Sequence, residues 1–111
     1  MEKRRRGTQL QIAGLETVME GADMRALMLT LAAGQSVPWH YHSEITECFF
    51  CLEGPMVVET RAPHAVKELK AGETCTVLPK TAHCVRGKDN GPCRYLLLGG
   101  VGVYDNIPVG G

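Results

Sequence analysis

The sequence predicts an all-β domain, an antiparallel sandwich or barrel, and three observations carry that reading. Turn signals recur at short, fairly regular intervals along the 111 residues. Between them lie short segments rich in Val, Leu, Thr, Phe and Met. No long stretch shows a 3.6-residue apolar period flanked by helix caps. A strand buries one face only, so many short strands punctuated by Gly and Pro must fold back into stacked or closed sheets.

The elements follow in order. Gln9 to Glu20 is ambiguous: it admits a helix, but Gly14 and the pair Thr17-Val18 weaken one. After the turn Glu20-Gly21-Ala22-Asp23, Met24 to Leu31 reads as a strand, closed by Ala33-Gly34. Glu47 to Leu52 and Met56 to Thr60 flank Glu53-Gly54-Pro55 and read as a strand pair. Arg61-Ala62-Pro63-His64 and Ala71-Gly72 are further turns, before strands at Thr74 to Leu78 and His83 to Arg86. Lys88-Asp89-Asn90-Gly91-Pro92 precedes a last strand at Arg94 to Leu98, which ends at Gly99-Gly100. The expected organisation is an N-terminal arm over residues 1–23, able to add a strand, and one barrel over residues 24–111.

Composition narrows the function classes. Twelve Lys and Arg balance twelve Asp and Glu, which removes the global electrostatic argument for nucleic-acid or membrane-surface binding. The basic start Lys3 to Arg6 reads as a solvated tail, and no apolar run suits a secretory signal or a bilayer span. Five cysteines, an odd number without an export signal, point to reduced thiols in a cytoplasm. Cys48 and Cys51 have a redox or zinc spacing, yet on a strand they face opposite sides and cannot share one site. At this size folding buries roughly 65% of the unfolded surface, enough for one core without staples.

Two segments carry chemistry. In Trp39-His40-Tyr41-His42, an extended backbone places both imidazoles on one face, and a short turn at Ser43 to Thr46 lets the next strand return Glu47 beside them. A distant strand supplies His83. Three nitrogens and one carboxylate suit one divalent transition metal (Fe, Mn, Ni, Cu, Co or Zn) better than Ca or Mg. Such a set leaves positions open for a small-molecule ligand or substrate. Alternation from Glu47 and His83 puts Phe49, Cys51 and Val85 on the inward face as pocket-lining candidates, and Tyr95 can enter the pocket if its register allows.

At these residues the chain resembles the cupin family. Gly34, His40, His42, Glu47 and Gly54 keep that family's first-motif spacing, with five, one, four and six residues between them. Gly72 and His83 match the second motif, with Leu78-Pro79 near its proline. Lys80 stands where the family usually has Gly, and Gly87 where it often has Asn. The resemblance, over about residues 24–104, implies an antiparallel jelly-roll β-barrel. It implies ligation by His40, His42, Glu47 and His83, and selects Glu47 over the nearby Glu44. Trp39 and Tyr41 face away from the site, and His64 faces solvent.

Three functions follow as expectations. The first is a metal-dependent dioxygenase, which needs fewest further residues because the metal supplies the activation. The second is a metal-dependent isomerase, decarboxylase or lyase of a small oxygen-rich molecule, with Tyr95, Glu44 or His64 carrying protons. The third is a binding or sensor module without turnover. Exposed jelly-roll edges suggest a homodimer, with Thr8 to Val18 and Leu96 to Val109 offering strands to a neighbour.

Overall fold

The computed structural model describes residues 11–110, so the basic stretch Lys3 to Arg6 lies outside the described residues. Ten strands succeed one another: β1 (Gly14–Glu20), β2 (Met24–Leu31), β3 (Ser36–Tyr41), β4 (Thr46–Glu53), β5 (Met56–Arg61), β6 (His64–Leu69), β7 (Thr74–Val77), β8 (His83–Gly87), β9 (Cys93–Gly100) and β10 (Ile107–Pro108). They form two five-stranded antiparallel sheets, ordered β1-β2-β9-β4-β7 and β10-β3-β8-β5-β6. This is a jelly roll, with its core between the two inner faces.

Alternation makes that core. Along β9, Cys93, Tyr95 and Leu97 are buried while their neighbours are half-buried. Register extends them into rows across the first sheet: Leu27, Leu97 and Phe49 stand side by side, as do Leu29, Tyr95 and Cys51. The second sheet answers with Val37, Val85 and Val58. Burying each large apolar side chain contributes about 1.5–3 kcal/mol, which in sum offsets the chain's conformational entropy.

One irregularity aims the chemistry. Val37 pairs with Val85 and His40 with His83, and the register shifts between them. Residues three apart would ordinarily face opposite ways, yet both are buried. Pro38 has no N–H to give the ladder and sits in that shift, so the strand loses nothing by bulging there.

Residues 14–20, in the ambiguous stretch, are the strand that the N-terminal arm is read as able to add, held by the β2 ladder; Gln9 and Leu10 lie outside the described residues. Three segments differ from the sequence reading. His64–Leu69 is a strand that the sequence hides: β6 is a sheet edge burying only Leu69, so its Lys and Glu mask the period. The two-residue β10 is too short to show a pattern. Leu96 to Gly100 cannot offer a strand to a neighbour, because β9 is already hydrogen-bonded to β2 on one side and β4 on the other. Among the described residues no helix is long and apolar enough to cross a membrane.

The backbone explains Gly87, one of the two departures from the family pattern, and works against Lys80, the other. The turn after β8 folds back so that a Cβ on Gly87 would lie 1.9 Å from the Gly91 carbonyl oxygen. Gly87→Ala therefore forces backbone movement and is expected to cost about 1–3 kcal/mol, read as a lowered thermal midpoint. Gly110→Ala, where a Cβ meets nothing, is the neutral control. Lys80 adopts φ 64° while its N–H donates to the His42 carbonyl at 2.7 Å. Left-handed backbone disfavours any Cβ, so Lys80→Gly is expected to stabilise by about 0.5–1 kcal/mol in denaturant unfolding, net of glycine's added unfolded-state freedom.

Candidate metal centre

Three strands aim four polar side chains at one point. The end of β3 carries His40 and leads directly to His42; β4 carries Glu47 and β8 carries His83. All four are buried, with exposures of 7, 4, 4 and 1% in that order. Their candidate ligand atoms all lie within 4.8 Å of one another. The rings of His40 and His83 are 4.3 Å apart, and those of His40 and His42 4.8 Å.

Hydrogen bonding decides which nitrogen of each ring faces inward. His40 Nδ1 donates to the Pro38 carbonyl at 2.7 Å and His83 Nδ1 to the Thr81 carbonyl at 2.8 Å. His42 Nδ1 donates to the Asp105 carbonyl. A carbonyl oxygen can only accept, so each Nδ1 bears the hydrogen and each Nε2 presents a lone pair when its ring is neutral. His83 Nε2 lies 3.0 Å from Glu47 Oε1, and His42 Nε2 lies 3.2 Å from Glu47 Oε2. The His42 contact is too poorly aligned for a hydrogen bond, which leaves a buried nitrogen without a partner. Lone pairs directed at a carboxylate repel unless a ring is protonated or a cation lies between them. The donor set therefore fits a metal ion, with Nδ1 held from behind as metal-ligating imidazoles commonly are.

Charge within the group follows the same geometry. Burial, then the neighbouring His83, lowers the His40 pKa to about 4. Burial also works against a charged His42, but its contacts with Glu47 and Asp105 outweigh it and raise that pKa above the ordinary value. Burial alone would raise Glu47; the His42 and His83 contacts prevail and hold it near 2. Glu47 is thus an anion at neutral pH and His40 a neutral donor, which are the protonation states metal ligands need.

The four residues floor a cavity of about 60 Å³. Phe49, Val85 and Tyr95 line it, together with Leu27, Leu29, Val37 and Leu97, which the sequence reading did not single out. Cys51, expected on the wall, is instead buried in the core beside Gly54, two residues further along β4 from the histidines than Phe49. Tyr95 is 1% exposed, and burial, then Glu47, pushes its pKa well above 10, so the phenol keeps its proton. Leu15, Arg25, Tyr104 and Asn106 complete the wall. Parity with Leu27 on β2 is a signal that could have found Arg25; Tyr104 and Asn106 come from an irregular segment after β9 and leave no such signal. Glu44 lies outside the cavity, accepting the Val103 N–H at 3.2 Å. His64 is exposed and pairs with Glu59 at 3.0 Å. Trp39 lies beneath the Arg61 guanidinium, 4.1 Å from its ring centre, and does not line the cavity.

Comparisons with known proteins agree with this architecture. A search of curated proteins finds no match. An RmlC-like cupin protein from Desulfovibrio desulfuricans superposes with a TM-score of 0.70 at 24% identity, over 84% of this chain and 86% of that one. An oxalate decarboxylase from Lactobacillus farciminis gives 0.76 at 13% identity over 91% of this chain, which spans only 32% of that protein. A DMSP lyase from Ruegeria pomeroyi gives 0.73 at 18% identity, over 86% of this chain and 51% of that one. At these identities the likeness concerns the fold alone. The family model described as the cupin domain matches residues 27–99, the segment holding both sheets' central strands and all four convergent side chains, and the chain belongs to the cupin family.

Proposed function

We propose that this chain is a mononuclear metal-dependent oxygenase of a small organic substrate, with His40, His42, Glu47 and His83 as the ligands. The carrying observation is the convergence of three imidazoles and one carboxylate in a largely apolar cavity. A transition metal held there supplies Lewis-acid and redox chemistry, with coordination positions left for small molecules.

The chain's own residues then have three tasks. The carbonyls of Pro38, Asp105 and Thr81 fix the imidazoles in the ligating tautomer. Glu47 contributes the one negative charge of the ligand set. Phe49, Val85 and the leucines of β2 and β9 keep water away from the reacting centre, which strengthens every charge interaction inside.

Tyr95 favours a second reading, a metal-dependent isomerase, decarboxylase or lyase. It lines the cavity and holds its proton at neutral pH. Of the three proton carriers the sequence offered, it alone reaches the site. An oxalate decarboxylase and a DMSP lyase share this fold, which supports the reading. A ligand-binding module remains the third reading. Five unpaired cysteines suit the reducing cytoplasm proposed for the chain. Of the four edge strands β1, β7, β10 and β6, β1 and β10 fall in the two chain-end segments expected to pair in a homodimer.

Two measurements test this. Protein expressed with ample metal and purified without an affinity tag is expected to carry about one transition metal per chain by mass spectrometry. His83→Ala should lower that content at least about tenfold while circular dichroism keeps its β signal; undiminished metal would mean a different ligand set. Loaded with Fe(II), Mn(II), Ni(II) or Cu(II), the protein should consume dioxygen in step with loss of one member of a small-organic substrate panel. Turnover under strict anaerobiosis would replace the oxygenase with the isomerase or lyase, and binding without turnover in either atmosphere would leave the module.

A further inference from the structure

Among the described residues, the cavity wall contains one fixed cation that none of these roles uses. Arg25 enters from β2, on the same face as Leu27 and Leu29, and lines the cavity with the four convergent residues. It also lines a neighbouring surface cleft of about 150 Å³, as does Tyr104, which places this pair at the rim between the two spaces. The guanidinium carbon lies 3.7 Å from the Tyr104 ring centre. The other face of this rim is the metal-site side: the Tyr104 ring is 5.5 Å from that of His42.

This arrangement orients a charge without neutralising it. Stacking engages the face of a guanidinium and leaves its in-plane N–H donors free. Glu20 stands opposite Arg25 in the β1–β2 register, yet among the described residues no carboxylate lies within ion-pair distance of Arg25. The described Arg86, Arg94 and Lys88 each have a carboxylate partner, and Arg61 stacks on Trp39 at the outer surface. Arg25 thus combines a cavity position with a guanidinium that, among the described residues, has no carboxylate partner. Its fork matches a carboxylate, and the walls beyond it are apolar.

We propose that Arg25 is the specificity-determining residue of the cavity, and that the ligand is a small carboxylate with a short apolar body, its carboxylate held at the rim by Arg25. This deepens the reading of the cavity as a substrate site and rests on it. The interior is small, about 60 Å³, so the body is a short one.

Butyrate and its neutral counterpart butyramide serve as probes, with affinities measured by calorimetry on the protein as purified and metal content determined on the same samples. Wild type is expected to prefer butyrate by about tenfold or more, the scale of a charge-assisted contact. Arg25→Gln should abolish most of that preference, with metal content as in wild type. Absence of binding or of preference in wild type overturns the proposal, and so does a preference that survives Arg25→Gln, since a carboxylate held by a metal would behave that way. Where Arg25→Gln fails to fold, Arg25→Lys decides: loss of the two-pronged contact lowers the preference several-fold, and an unchanged preference overturns the assignment. A wild type without metal would remove the oxygenase reading and leave this comparison intact, so the two failures are distinguishable.

Discussion

Everything distinctive about this protein depends on one electrostatic constraint: three imidazoles pinned from behind by carbonyl oxygens, each turning its remaining nitrogen toward one buried carboxylate. Acceptors that converge in a low-dielectric interior repel, and burying an unpaired carboxylate costs several kcal/mol. A protonated His42 can relieve part of this, and its raised pKa reflects that role. A divalent cation relieves all of it at once and competes with the same proton. The cluster has little value for stability alone, because an apolar floor would pack more favourably.

The barrel is arranged to hold that cluster in place. The register shift at Pro38 turns His40 inward, and the β3–β8 pairing sets it directly beside His83. The segment after β9 ties down the fourth side: Asp105 accepts the Ser43 N–H at 2.8 Å through its carboxylate and the His42 ring through its carbonyl. The same segment brings Tyr104 over Arg25 of β2, so the stretch after β9 both holds the His42 ring and shapes the cavity rim. Leu27, Leu29, Phe49 and Tyr95 serve twice, as core and as cavity wall.

Much of this was legible from residue spacing. The spacing of Gly34, His40, His42, Glu47 and Gly54 points to the cluster, and strand alternation turns Phe49 and Val85 inward, where both line the cavity. Met24–Leu31 was read with its observed ends because it is a long strand with a clean apolar face. What stayed hidden has physical reasons. The edge strand β6 buries one residue, and so carries almost no period. Tyr104 and Asn106 reach the cavity through irregular backbone, for which alternation has no rule. Cys51 obeyed alternation yet missed the wall, because facing inward does not say how far along a strand the cavity extends. The value of Gly87 lies in the Gly91 carbonyl packed against it, a contact between turn residues that no spacing rule displays.

The most direct test of the central claim is anomalous X-ray diffraction at the absorption edge of whichever metal the purified protein carries. The account predicts one peak per chain, about 2.0–2.2 Å from the Nε2 atoms of His40, His42 and His83 and from a carboxylate oxygen of Glu47, with every Nδ1 still bonded to its carbonyl. A peak elsewhere on the chain, or ligation through Nδ1 with those carbonyl bonds broken, would contradict it.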